Sequence, residues 1–116
     1  MKRGDIWWAD LGPHRPFELT GVRPVVIWQS DTLNQLLRSV VVIPLTTNMQ
    51  RAGLVGTVFI PASDIGPPED SLAIAFQVRT ISKTALRERI PSLSESEIAE
   101  LEMAADEAFG RLEPQA

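Results

Sequence analysis

Gly21-Val22-Arg23-Pro24-Val25-Val26-Ile27-Trp28 and its echo, Val40-Val41-Val42-Ile43-Pro44-Leu45-Thr46-Thr47-Asn48, decide how this chain folds. Each is a short apolar run rich in β-branched residues, the pattern of a buried strand. A lone arginine stands at the mouth of the first run; hydroxyls and an amide follow the second. If the two runs are neighbours in one sheet, Arg23 and Thr46 meet at one rim of the core, and that rim is the expected site. On position alone, an arginine at a strand mouth is ordinarily a surface ion-pair partner, and Thr46-Thr47-Asn48 an ordinary polar strand exit.

Working outward, Asp5-Ile6-Trp7-Trp8-Ala9-Asp10-Leu11 reads as a first strand with a tryptophan on each face, ended by Gly12-Pro13. Residues 12 to 21 form a loop with two prolines and two glycines. It holds the only histidine, His14, beside Arg15, with Glu18 further on. Loops of this length often carry function. Asp31 is placed to cap a single helical turn before the second run. Beyond it, a turn over 51–56 leads to a short strand, Thr57 to Ile60, and a loop over Pro61 to Asp70. The alternation from Ser71 to Arg79 predicts one strand, with Leu72, Ile74, Phe76 and Val78 facing one way. Ser82 is expected to cap a short turn, Lys83 to Arg87. Ser94-Glu95-Ser96-Glu97 is a capping box, predicting a helix from about Glu95 to about Arg111. Its apolar stripe is Ile98, Leu101, Ala105, Ala108 and Leu112.

Several short strands and one terminal helix predict a mainly β, α+β fold: antiparallel sheet curled into a small barrel, with the helix as a lid. The length of 116 residues suits a single domain over 1–116. No apolar run approaches the roughly 20 residues of a membrane span. No apolar segment follows the basic pair at the N-terminus, so a cytoplasmic location and no membrane partner are expected. The absence of cysteine excludes disulfides and thiolate metal sites. The net charge of −4 is uneven: residues 1–91 carry a net +2 and residues 92–116 a net −6. The acidity therefore belongs to the tail, and the body can present a basic surface.

Lys2-Arg3-Gly4-Asp5-Ile6-Trp7, Asp10-Leu11 and Gly21-Val22-Arg23-Pro24-Val25-Val26 resemble the MazF/PemK toxins of bacterial toxin–antitoxin systems. Val41-Val42-Ile43-Pro44-Leu45-Thr46, Asp70-Ser71 and Gln77-Val78-Arg79-Thr80-Ile81 follow in the same order. The resemblance implies an SH3-like small barrel with a C-terminal helix, usually a homodimer. It implies a sequence-specific endoribonuclease that cuts single-stranded RNA, needs no metal or other cofactor, and inhibits translation and growth. It implies a MazE-like antitoxin partner that occludes the RNA channel and links the complex to operator DNA. The catalytic pair falls on Arg23 and Thr46. Leu19, Ser30 and Ser82 depart from the usual residues of the family, and loops of this kind usually set the RNA sequence recognised.

Such cutting uses the RNA's own 2′-hydroxyl, leaving a 2′,3′-cyclic phosphate and a 5′-hydroxyl. The guanidinium of Arg23 suits the phosphate oxygens, and Thr46 adds a donor. For the proton transfers His14, Glu18 and Arg23 all stand as candidates. Arg15, Glu18, Asn34, Thr47 and Gln77 are expected to bind substrate, since unpaired bases expose edges that such side chains can read. A rival from another class is a gyrase poison of the CcdB type on the same barrel. Those proteins act through the end of the C-terminal helix, typically with aromatic residues, whereas this chain ends Gly110-Arg111-Leu112-Glu113-Pro114-Gln115-Ala116.

Overall fold

The computed structural model of the chain describes residues 1–111. Leu112, expected on the helix stripe, and the chain end weighed against the gyrase poisons lie outside them. The strands are β1 Ile6–Asp10, β2 Val22–Ile27, β3 Ser39–Thr46, β4 Thr57–Ile60, β5 Ser71–Ile74, β6 Arg79–Ser82 and β7 Leu86–Ile90, with helices α1 Asp31–Leu36 and α2 Glu95–Ala108. Every strand pair is antiparallel, in the order β4-β5-β3-β2-β1-β7, and β6 also pairs with β3.

β3 changes partner along its length. Ser39 to Val42 pair with β6, whereas Leu45 and Thr46 pair with β5. The sheet therefore bends at β3, and apolar side chains fill both of its faces. Val26, Ile43 and Leu45 join Ile6, Ile60 and Leu101 of α2 in one cluster. Val25, Ile27, Val40 and Val42 join Ala9, Leu11 and Ile81 in the other. A strand covered on both sides needs no polar alternation, which is why the two central runs are almost continuously apolar. The tryptophans divide in the same way, Trp8 against the first cluster and Trp7 against the second.

The capping box is present: Ser94 Oγ accepts from the Glu97 amide, and Glu97 accepts from the Ser94 amide at 2.9 Å. α2 packs on β4 as the expected lid, but ends at Ala108 rather than near Arg111. Three further readings are corrected. Ser30, not Asp31, caps α1; the Asp31 carboxylate instead accepts the Arg3 amide at 2.8 Å. The alternating segment Ser71–Arg79 is two strands, because a 3-10 turn over Ala75–Gln77 packs under α2 and redirects the chain. The Ser82-capped turn is Lys83–Ala85, and the chain then enters β7, which pairs with β1.

Candidate functional site

The site grows from the register of β2 on β3. Val25 pairs with Pro44 and Val26 with Ile43. Continued outward, this register sets Pro24 opposite Leu45 and Arg23 opposite Thr46. Pro24 has no N–H to give the Leu45 carbonyl. The Arg23 side chain takes that place: Nη1 donates to Leu45 O at 3.4 Å, and Nε donates to Thr20 O at 2.8 Å. The Arg-Pro dipeptide thus turns a missing ladder bond into an anchor for a guanidinium. Two of the five N–H donors are used, and no carboxylate pairs with Arg23 among the described residues. Burial pushes the Arg23 pKa below its ordinary value, yet a guanidinium remains a cation at neutral pH.

Arg23 and Thr46 line one cleft of about 230 Å³, with Trp8, Thr47, Glu69 and Ser71 around them. Thr46 Oγ1 accepts the Asn48 amide at 3.2 Å, which leaves the hydroxyl proton available to a substrate oxygen. Thr46 also lines a second cleft of about 240 Å³, with Phe17, Glu18, Asn48, Arg51 and Gln77. The two clefts share Thr46 and carry a cation, hydroxyls and amides. That is the equipment to hold a phosphodiester at one end and a base edge at the other.

The remaining expected residues divide. Thr47 stands with Arg23, and Glu18 and Gln77 stand in the second cleft. Arg15 is exposed on the loop, its guanidinium 3.9 Å from Glu18. His14 is exposed on the same loop and lines neither cleft. Gln77 does more than face a cleft: its Oε1 accepts the Leu19 amide at 3.2 Å, and its Nε2 donates to Phe17 O at 2.7 Å. The side chain grips the loop on both sides of Glu18.

Asn34 is corrected. It is only 5% exposed, lies on α1 and lines neither cleft. Its amide nitrogen donates to Gln29 O and Asp31 Oδ1, its amide oxygen accepts from Gln29 Nε2, and its carbonyl accepts from Lys83 Nζ. A group so engaged ties α1 to the sheet and has nothing left for a base.

Phe17, Trp8, Asn48 and Arg51 were not among the expected binders, although all line the clefts. Asn48 had a signal, as the amide closing the polar exit of β3. Trp8 had one only as one of the two tryptophans read onto opposite faces of the first strand. For Phe17 and Arg51 only position in a loop or turn was available.

Known proteins bear on these features. The chain is 37% identical to "Endoribonuclease MazF" of Staphylococcus epidermidis over 110 residues, covering 95% of this chain and 92% of that protein. It is 36% identical to the Staphylococcus saprophyticus protein of the same name, with the same coverage. Among solved structures, Mycobacterium tuberculosis toxin MazF-mt6 is similar with a TM-score of 0.74 at 27% identity, covering 90% of this chain and 95% of that one. The Deinococcus radiodurans MazF structure has a TM-score of 0.80 at 19% identity, covering 95% and 96%, and so speaks to the fold alone. The profile described as "PemK-like, MazF-like toxin of type II toxin-antitoxin system" matches residues 2–109, a span that takes in β1 through α2 and both clefts. With sequence, fold and the Arg-Pro strand all in agreement, the chain belongs to the PemK-like, MazF-like family of toxins.

Proposed function

We propose that this chain is the toxin of a toxin–antitoxin pair and an endoribonuclease that cuts single-stranded RNA. The observation that carries the reading is Arg23 and Thr46 lining one cleft, at positions that the β2–β3 register, continued two residues beyond Val25 and Pro44, sets opposite each other. The name borne by its relatives supports it. In the proposed step the ribose 2′-oxygen attacks the neighbouring phosphorus and the P–O5′ bond breaks. The 2′ proton leaves to a base, and the 5′-oxygen gains one, so the products are a 2′,3′-cyclic phosphate and a 5′-hydroxyl. Arg23 clamps the phosphate oxygens, and Thr46 donates to the charge that builds there. For the proton transfers Arg23, on the phosphate, and Glu18, in the adjoining cleft, stand as the candidates. Thr47 supports the phosphate, Gln77 holds the loop that presents Glu18 to the neighbouring nucleotide, and Arg15 supports the strand beyond.

The reaction takes its charge stabilisation from Arg23, so it proceeds without a metal. The partner is an antitoxin of the kind seen with a mycobacterial endoribonuclease, a structure with a TM-score of 0.79 at 23% identity. Contact with operator DNA comes only through that complex. The toxin is a single domain and a homodimer in the cytoplasm. No helix among the described residues is long and apolar enough to cross a membrane. The test is incubation of the purified protein with a mixed-sequence single-stranded transcript in EDTA. Fragments with 5′-hydroxyl ends are expected, and an intact transcript refutes the nuclease.

A further inference from the structure

The loop between β1 and β2 holds a feature that catalysis leaves unused. Phe17 is 93% exposed, the highest value among the large apolar side chains described. Its φ of +65° makes it the one non-glycine residue in the left-handed region among the described residues. Bulky side chains rarely accept that conformation, and they keep it where the surroundings impose it. Here the surroundings are on the page. Gln77 donates to the Phe17 carbonyl at 2.7 Å and accepts the Leu19 amide at 3.2 Å. Gln77 itself closes the 3-10 turn that packs against α2 and β3. The ring is therefore held out to solvent by a backbone clamped to the body of the fold.

It is held out over a cleft. Phe17 and Thr46 line the same 240 Å³ depression, and Thr46 also lines the depression of Arg23. The two depressions meet at Thr46, so a strand whose phosphate sits on Arg23 and Thr46 can lay its neighbouring nucleotide in the depression that Phe17 borders. An exposed aromatic ring bordering a cleft that adjoins a phosphate-holding one is an arrangement by which proteins take up unpaired bases.

We propose that Phe17 is the stacking platform for the unpaired base next to the phosphate held by Arg23 and Thr46. This deepens the nuclease reading and rests on it. Stacking tolerates any base, because each has a π-face. The ring therefore contributes hold on the strand, while the choice of sequence is left to polar groups around it.

The test compares the parent with Phe17→Leu, Phe17→Gly and Phe17→Trp on one mixed-sequence single-stranded transcript. Phe17→Leu keeps an apolar side chain without a π-face. Phe17→Gly suits the positive φ and so keeps the loop conformation without a ring. Phe17→Trp keeps a face. Both ringless variants are expected to lose roughly tenfold or more in kcat/KM, mainly through KM. The tryptophan variant should stay within about threefold of the parent. Parental kcat/KM in Phe17→Leu or Phe17→Gly, with the parent active, overturns the platform and leaves the nuclease standing; the ring then serves a protein partner. A parent that cuts nothing refutes the nuclease, and this inference with it.

Discussion

The Leu45 carbonyl accepts a hydrogen bond from Arg23 Nη1 at 3.4 Å, at a ladder position where Pro24 has no N–H to offer. The cation is thus fixed by the carbonyl just before Thr46, so the two proposed catalytic residues share one backbone support. Replacing Arg23 with Ala is expected to lower kcat on single-stranded RNA by a hundredfold or more, about 3 kcal/mol of transition-state stabilisation. Arg23→Lys should recover little, since an ammonium lacks the planar fork. Thr46→Val, which removes only the hydroxyl, should also cost about a hundredfold. Initial rates under saturating RNA check all three.

Pro24 makes a subtler prediction. Pro24→Ala returns an N–H to β2, and that N–H competes for the Leu45 carbonyl. The guanidinium then keeps only its Nε bond to Thr20 O. We expect kcat to fall by about three- to tenfold with KM little changed, for an interaction of about 1 kcal/mol. The melting temperature should not fall, because the backbone ladder gains a bond. A kcat equal to that of the parent would show that the carbonyl anchor has no part in placing Arg23.

Gln77→Leu removes both bonds to the 12–21 loop while filling nearly the same volume. KM should rise roughly tenfold as Glu18 and Phe17 lose their fixed positions, with each bond worth about 1 kcal/mol. The melting temperature should drop by about 4–8 °C per kcal/mol lost. A Michaelis series and a thermal melt on the same preparation separate the two effects.

Asp5 carries the pH dependence of stability. Its carboxylate is buried, which alone would raise its pKa. Against that, the Ser92 hydroxyl donates at 2.6 Å, the Lys2 amide donates at 2.8 Å and Arg89 lies at 3.3 Å, and together they hold the pKa below the ordinary value. The folded pKa being depressed, the contribution is present in full above the unfolded pKa of about 4. It fades as the pH falls through the lower folded value. Asp5→Asn should cost about 2 kcal/mol at pH 7. The gap between parent and variant should hold constant above pH about 5 and narrow below pH about 4. Urea melts at both pH values check this.

The fold was legible where burial writes a pattern. The two central runs declared themselves because both faces of β2 and β3 are covered, and Ser94 with Glu97 announced α2. The break at Ala75 was not legible, since the alternation through Phe76 and Val78 reads the same whether the chain runs on or turns. β7 was missed because it is an edge strand with Arg87, Glu88 and Arg89 in its middle. Charges there blunt edge-to-edge pairing and erase the apolar signal. Arg23 and Thr46 were readable as one rim because strand register is local arithmetic. The placement of Asn34 was not, because it depends on a buried side-chain exchange with Gln29 and on Lys83 arriving from elsewhere in the chain.

The pairing of β1 with β7 joins Ile6 to Ile90, residues that lie almost a whole domain apart in the chain. So distant a closure makes for slow assembly, since most of the polypeptide must be ordered before the first strand gains its second neighbour. A toxin emerging from the ribosome therefore exposes an unpaired β1 edge until residue 90 has been made.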